Sequence, residues 1–155
     1  MSRSDLDSTD HKILAALVND ARKPFLEIAR ECGISGAAIH QRVNKLEEAG
    51  VITGTRLMVK PSALGIGVCA FVCVSLSEAR RYHDVIAALK AVPEVVECHF
   101  VTGKYALLLK VYCRDNDHFI DVLLHCIQNI PYVLETETMI ALESAFERQI
   151  DIKDS

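Results

Sequence analysis

Apolar residues in the first fifty positions recur every three or four residues, which is the spacing of one face of an α-helix. The apolar stripes contain Ile13, Leu14, Leu17 and Val18 in a first run, Ile28, Ala29 and Cys32 in a second, and Ile39, Val43 and Leu46 in a third. Polar residues fill most of the positions between them. The pattern predicts three short amphipathic helices that bury their apolar faces against one another.

Capping residues mark the ends of these helices. Asp7 is a suitable N-cap for the first helix, with Asp10 as an acid in its first turn. Pro24 is tolerated where the second helix opens, and Gly33 can adopt the left-handed conformation that ends it. Ser35 then caps the third helix. Two short helices joined by a turn with glycine are typical of a helix-turn-helix.

The third helix presents small and hydrogen-bonding residues away from its apolar stripe. Its outer face carries Ala37, Gln41, Asn44 and Lys45, with His40 and Arg42 on the flanks. The small residues Gly36, Ala37 and Ala38 would let the backbone approach DNA, and glutamine suits adenine while Arg or Lys suits guanine or phosphate. The face is a candidate for reading DNA. Periodicity alone does not separate it from an ordinary solvated helix face.

From residue 67 onward, strand-like and helix-like patterns alternate. The predicted elements are a strand (67–77), a helix (79–91), two strands (94–102 and 104–113), a helix (115–129) and a strand (132–142). Gly103 and Lys104 are expected to form the tight connection between the two middle strands. The order is the ferredoxin-like βαββαβ pattern, with a four-stranded antiparallel sheet and both helices on one face.

The predicted fold class is therefore α+β in two domains. We expect a helix-turn-helix domain at 1–54, an extended linker at 55–66 and a ferredoxin-like domain at 67–155. The first strand of the second domain is apolar on both sides, since Val68, Ala70 and Val72 alternate with further apolar residues. Helices cover only one face of such a sheet, and an antiparallel sheet with a wet face should alternate. A second copy packed about a two-fold axis would cover the other face, so a dimer is predicted.

Charge is unevenly distributed along the chain. Residues 1–60 contain nine Lys or Arg against eight Asp or Glu, a net of +1, whereas residues 61–155 carry a net of −5. Local charge decides phosphate contact, so the whole-chain value of −4 does not exclude DNA binding. The six cysteines lie mostly in apolar runs and form no Cys-x-x-Cys pair, so we expect reduced thiols that pack as small hydrophobes.

Signals for membranes, secretion and catalysis are missing from the sequence. The apolar stretches are too short to cross a bilayer, and no secretory signal pattern is present, so we expect a cytoplasmic protein without a membrane partner. Gly65 to Ala70 superficially matches a dinucleotide fingerprint but precedes a strand instead of following one. His118 and His125 are about 10 Å apart by helical rise, too far to share a metal. We predict no catalytic residues, no metal and no cofactor.

Several short segments together resemble the leucine-responsive regulatory protein/AsnC (Lrp/AsnC) family of transcriptional regulators. The segments are LDSTDHKIL (6–14), DAR (20–22), GIS (33–35), RVNKLE (42–47), GVI (50–52), VTGKY (101–105) and ETET (135–138). Each segment is weak alone. Their order and spacing across both predicted domains make the resemblance specific.

The resemblance implies a winged-type helix-turn-helix joined to an ACT-like (RAM) effector-sensing domain. It implies dimers that often assemble further, commonly into octamers that wrap DNA. The DNA contacts it implies are Ser35, Gly36, Ala37, His40, Gln41, Arg42 and Lys45. The effector, usually an amino acid, is implied to bind between dimers near Thr102, Gly103, Lys104, Tyr105 and Ala106, with Thr136 and Thr138.

Two departures from the family pattern bear on function. Gly36 and Ala38 stand where the family often has proline and another small or polar residue, which softens the expected helix start. Ala106 occupies a position where the family commonly has Asp, a natural partner for an effector's ammonium group. We therefore expect amino-acid binding to be weak, altered or absent, with Lys104 left to meet a carboxylate. The siroheme decarboxylases, an enzyme class that resembles this family, are distinguished by a His- and Trp-containing strand at the positions of residues 103–107, and this chain has no Trp.

The leading hypothesis is a sequence-specific transcriptional regulator modulated by an amino acid or a related small effector. One alternative is an architectural protein that wraps DNA with little sequence preference. Another is a metabolite-binding module whose helical half only mediates assembly.

Overall fold

The computed structural model describes residues 6–152. The chain divides into two compact units, one containing the chain up to Met58 together with the segment from Phe146 onward, the other Val59–Ala145. Each unit has its own cluster of buried apolar side chains. The predicted linker limits at 54 and 66 stay predictions.

The first unit contains the three predicted helices. They are α1 (Ser8–Asn19), α2 (Phe25–Cys32) and α3 (Gly36–Glu48). Ile13, Ile28 and Ile39 are fully buried and hold one helix each in the shared core. Asp7 caps α1 and Ser35 caps α3, as the sequence predicted. Helix α2 ends at Gly33, whose φ of 68° lies in the left-handed region that glycine adopts without strain.

The second unit has the predicted ferredoxin-like topology. Its elements are β1 (Val68–Leu76), α4 (Tyr82–Leu89), β2 (Val95–Phe100), β3 (Leu107–Cys113), α5 (Asn116–Asp121) and β4 (Val133–Ile140). The strands form one antiparallel sheet in the order β2-β3-β1-β4. Val85 of α4 and Phe119 of α5 pack in the same buried cluster as the central strands.

Three predicted elements differ in detail. Helix α4 is preceded by a 3₁₀ turn at Ala79–Arg81, and α5 continues as a π-helical segment at Val122–Ile127. The connection between β2 and β3 is wider than the predicted turn at Gly103 and Lys104, because the strands end at Phe100 and resume at Leu107. One backbone hydrogen bond, from the Val101 N–H to the Ala106 carbonyl (2.9 Å), closes this loop.

The sheet has two different faces. Ala70, Val72 and Val74 of β1 are fully buried on the face that the helices cover. Cys69, Phe71 and Cys73 alternate with them and are only half-buried. We call this second side the open face, and in β3 it carries Leu108, Lys110 and Tyr112. The two-sided apolar pattern of β1 is thus divided between a core and a surface that, among the described residues, no helix of the second unit covers.

The C-terminal segment differs from the predicted domain assignment. The sequence placed everything after residue 66 in the second domain, whereas contacts place the segment from Phe146 onward with the first unit. The reason is apolar packing, since Ile152 packs against the buried cluster of the three helices. The two units are therefore joined by two crossings of the chain.

Candidate DNA-binding surface and effector region

The start of α3 follows from the turn before it. The Ile34 N–H donates to the Ala29 carbonyl (2.9 Å), which completes α2 after Gly33. Ser35 Oγ accepts a hydrogen bond from the Ala38 N–H at 3.1 Å. The cap is one-sided, because the alanine at position 38 has no side chain that could return the bond. The geometry fixes the direction of α3 at its first turn.

The two sides of α3 are clearly separated by burial. Ile39, Val43 and Leu46 are buried in the core of the unit. Ser35 and the residues Ala37, His40, Gln41, Asn44 and Lys45 are exposed. Gly36 and Arg42 are half-buried. Of the predicted DNA contacts, α3 therefore presents all but these two to solvent.

The His40 side chain lies against an aromatic ring from α2. The rings of His40 and Phe25 have centroids 5.0 Å apart at an interplanar angle of 68°, an edge-to-face arrangement. Such contacts favour one orientation of the imidazole. Phe25 was not among the predicted site residues. The only signal for it in the sequence is an aromatic residue at the first position of the preceding helix.

The Arg42 side chain is engaged with two carboxylates from the start of α1. Its Nη1 atom lies 2.7 Å from Asp7 Oδ2 and 2.7 Å from Asp10 Oδ1. Asp10 is 7% exposed and is the one buried polar or charged residue among those described. The flanking position of Arg42 on α3 was predicted from periodicity. Its partners lie more than thirty residues away in sequence and were not predicted.

The electrostatics of this group follow from its hydrogen bonds. The pKa of Asp7 is lowered from its ordinary value of 3.8, first because its carboxylate accepts the Asp10 N–H and then because of Arg42. The pKa of the Arg42 guanidinium is raised by its hydrogen bonds to Asp7 and Asp10. Asp7 and Arg42 therefore remain charged at neutral pH.

The predicted effector residues 102–106 form the connection between β2 and β3. Thr102, Gly103 and Lys104 are exposed, and Gly103 has a φ of 117°, which only glycine adopts readily. The Ala106 N–H donates to the Val74 carbonyl (2.9 Å), and Ala106 packs against the core. The loop is thus held at the end of β1.

Two side chains of this loop interact with each other and with β4. The Tyr105 hydroxyl donates a short hydrogen bond to Glu137, and Lys104 Nζ lies 4.8 Å from the centroid of the Tyr105 ring. The Lys104 pKa is raised, first by its interaction with Tyr105 and further by Glu137 and Glu135. Glu137 was not predicted as a site residue, although it lies within the ETET segment.

Thr136 and Thr138 lie on the other side of the sheet from Glu137. They pair with Val74 and Val72, whose side chains are buried beneath the helices, whereas Glu137 pairs with Cys73 on the open face. Thr136 Oγ1 accepts a hydrogen bond from Gln128 Nε2 at 2.7 Å. The structure does not bring the two threonines together with Tyr105.

Charged groups elsewhere in the second unit form ion pairs. Glu97 on the open face is bridged to His99 Nε2 (3.2 Å) and Lys110 Nζ (3.4 Å), and both partners lower its pKa, His99 first. His118 Nε2 lies 3.2 Å from Glu94.

Within residues 6–152, no three His, Cys, Asp or Glu side chains are grouped closely enough to hold a metal ion. None of the helices in that range is both long and apolar enough to span a membrane.

Comparison with known protein families assigns a match to each unit. A profile described as a winged helix-turn-helix DNA-binding domain matches residues 6–53. A profile described as the Lrp/AsnC ligand-binding domain matches residues 69–150. Helix α3 is buried on one side and exposed on the other. Together with this arrangement, the two matches define a DNA-binding transcriptional regulator.

Individual relatives agree with these matches over nearly the whole chain. The regulatory protein AsnC of Escherichia coli is 39% identical over 94% of this chain and 95% of its own length, and its solved structure has a TM-score of 0.86, covering 94% of this chain and 98% of that one. The HTH-type transcriptional regulator FL11 of Pyrococcus horikoshii is 36% identical over 92% of this chain and 93% of its own. This chain belongs to the Lrp/AsnC family.

A third relative was solved with an amino acid. The transcriptional regulator NMB0573 from Neisseria meningitidis, in complex with L-Met, has a TM-score of 0.84 at 26% identity and covers 92% of this chain and 94% of that one. The fold predicted from the sequence is confirmed by these structures.

Proposed function

We propose that α3 is the recognition helix of this regulator and lies in the major groove with its exposed side toward the bases. The observation that carries the proposal is the burial pattern of α3, because Ile39, Val43 and Leu46 anchor one side while the other remains in solvent. A recognition helix needs one face anchored in the protein and an opposite face exposed to the DNA. In this arrangement the small residues Gly36 and Ala37 allow close approach of the backbone.

The exposed residues of α3 divide into two roles. Gln41 and His40 read base edges, since an amide bonds well to adenine and an imidazole held by Phe25 has a fixed direction. Lys45 contacts phosphate, and Ser35 and Ala37 lie where the helix start meets the backbone of the duplex. Arg42 is also among the DNA contacts that the family resemblance implies, but it differs from them in being half-buried.

We propose further that the regulator acts as a dimer joined through the open face of the sheet. Phe71 and Leu108 are half-buried apolar residues at the centre of this face, on the two central strands. Dimer symmetry then sets DNA half-sites about one helical turn, roughly 34–36 Å, apart or a multiple of that. Phe71→Asp should give monomers in analytical ultracentrifugation, whereas Leu142→Asp, at an exposed position outside the sheet, should not.

The effector proposed for the second unit is an amino acid or a related small molecule. The L-Met complex of a relative supports this class, and Lys104 beside Tyr105 and Glu137 offers groups of both charges. A thermal-shift screen of the amino acids, including L-methionine, tests the proposal because a ligand of the native state raises Tm. Ala106→Asp adds the carboxylate common in the family and should strengthen any response.

DNA recognition is tested by comparing Gln41→Ala and Lys45→Ala with wild type. Selection from a random-sequence duplex pool should yield a pseudo-palindrome for wild type and a changed base preference for Gln41→Ala. Lys45→Ala should weaken binding to all sequences and lower the salt slope by about 0.9 for each subunit bound, or about 1.8 for a dimer. Lys90→Ala, which removes an equal charge from the exposed end of α4, is the matched control and should change neither.

Equal binding by all these variants would refute the assignment of α3. Footprinting of genomic fragments separates regulation from architecture, since discrete protected sites are expected here and uniform protection for a protein that only compacts DNA.

A further inference from the structure

Arg42 has an environment unlike that of the other predicted DNA contacts. It is half-buried, and its guanidinium is held by Asp7 and Asp10, each 2.7 Å from the same Nη1 atom. Ala37, Gln41 and Lys45 on the same helix are exposed. Position on α3 therefore does not by itself give Arg42 the role of its neighbours.

The start of α1 depends on this guanidinium. A capping box usually joins an uncharged Ser or Thr to a Glu or Gln three residues later. Here both members are carboxylates, with the Asp10 N–H donating to Asp7 (2.8 Å) and the Asp7 N–H donating to Asp10 (3.2 Å). Two like charges so close repel each other, and the positive charge of Arg42 compensates both.

Asp10 depends on Arg42 more than Asp7 does, because the Asp10 side chain is the more buried of the two. Its side chain is 9% exposed while that of Asp7 is 53% exposed, so Asp10 has little access to water as an alternative partner. Removing one member of a buried ion pair is strongly unfavourable, because the other charge is left without compensation. A phosphate that drew Arg42 away would leave this carboxylate unpaired.

We propose that Arg42 is a positioning residue that braces α3 against the N-terminus of α1 and does not contact DNA phosphate. The side chain joins the capping box of α1 to the middle of the proposed recognition helix, so it restrains the rotation of α3 on the core. This assignment departs from the DNA contact implied by the family resemblance. Its DNA-binding consequence depends on the proposed function of α3, whereas its effect on folding does not.

The test uses full-length Arg42→Gln, Asp10→Asn and the double variant, with Lys45→Gln as the matched control for loss of one positive charge. Melting is followed by circular dichroism, and binding to a mixed-sequence duplex is measured over a series of salt concentrations. Each single variant at 42 or 10 should lower Tm by several degrees. The double variant should melt above the temperature expected from adding the two losses, because the partners are coupled.

Salt dependence distinguishes a brace from a phosphate contact. Each phosphate neutralised contributes about 0.9 to the slope of log K against log salt. We expect the slope of Arg42→Gln to equal that of wild type, while that of Lys45→Gln falls by about 0.9 for each subunit bound, or about 1.8 for a dimer. Equal loss of slope in both variants, or additive Tm losses in the double variant, would overturn the proposal.

Arg42→Lys covers the case in which Arg42→Gln does not fold. A lysine keeps the charge for a phosphate but is a point donor that does not reproduce the planar, multi-donor guanidinium between two carboxylates. A lower Tm with an unchanged salt slope supports the brace, and an unchanged Tm refutes it. If wild type fails to bind the duplex at low salt, the proposed function falls, while the melting data still decide whether Arg42 braces α3.

Discussion

The proposed DNA-reading surface and the predicted effector region are assembled in different ways. Nearly all the candidate DNA contacts lie on the single helix α3, which is held in the core by Ile39, Val43 and Leu46. The predicted effector residues come from a loop and a strand, and they divide between the two sides of the sheet, with Tyr105 hydrogen-bonded to Glu137 and Thr136 to Gln128. A helix groups residues by spacing alone, whereas a sheet groups them only through its register.

Because each unit has its own buried core, we expect a cavity in one core to destabilise that unit and not the other. Ile39→Ala should destabilise the first unit by about 2–5 kcal/mol, because a fully buried side chain is replaced by a cavity. Leu109→Ala should cost a similar amount in the second unit. Hydrogen exchange read by mass spectrometry should show faster exchange in α1–α3 for the first variant and in the sheet for the second. Equal acceleration throughout the chain in either variant would mean that the units do not open separately.

Two glycine substitutions, one in each unit, are expected to change stability in opposite directions because the backbone conformations differ. Gly103→Ala should destabilise the second unit by roughly 1–3 kcal/mol, since a φ of 117° is strained for any residue with a Cβ. Gly36→Ala should stabilise the first unit by up to about 1 kcal/mol, because its Cβ would meet only Leu26 Cδ1 at 3.8 Å in ordinary contact. Urea unfolding of both variants measures the effects. Shifts of the same sign would contradict the assigned backbone conformations.

Acid sensitivity should be traceable to particular carboxylates in each unit. The Asp7 pKa is lowered below 3.8 in the folded state, so its stabilisation is present above that pH and is lost as pH falls through the lower, folded value. Asp7→Asn should therefore flatten the fall in stability of the first unit in this range, measured by urea midpoints. Glu97, with its pKa lowered from 4.5, makes the corresponding contribution to the second unit, and Glu97→Gln is the matched variant. A first unit whose acid response is unchanged in Asp7→Asn would refute this account.

The smallest expected effect concerns the aromatic contact of His40. Phe25→Leu removes an edge-to-face pair worth about 0.5–1.5 kcal/mol and frees the imidazole, so DNA affinity should fall less than about tenfold. Phe100→Leu removes a stacked pair with Tyr82 (4.6 Å) in the second unit and should leave DNA binding unchanged. Titration of a labelled duplex with both variants measures the difference. Equal losses would show that Phe25 acts only on stability.

The sequence predicted the elements better than the contacts between them. Ser35, Gly33 and the stripe of α3 are local signals, because caps and helical periodicity act within a few residues. The pairing of Arg42 with Asp10 was not predictable in this way, since it depends on how α1 packs beside α3. Spacing placed Arg42 on the flank of α3 and gave no indication of its partner.

The effector region shows the same limit in a sheet. Val101 and Thr102 are β-branched and favour a strand, yet pairing ends at Phe100 because the chain turns through Gly103. The faces of Thr136 and Thr138 depend on the register of β4 against β1, which shifts between Ser75 and Leu76. A shift of one residue exchanges the two faces, and no pattern within β4 reveals it.

The packing of the C-terminal segment in the first unit determines how the chain would respond to proteolysis. A single proteolytic nick in the exposed stretch between Gly54 and Lys60, which contains no helix or strand, would not free the three helices. The larger fragment still carries Ile152, which packs against the helical core. The segment from Phe146 onward would keep a non-covalent contact with the helices after the cut, and trimming that segment would remove this contact.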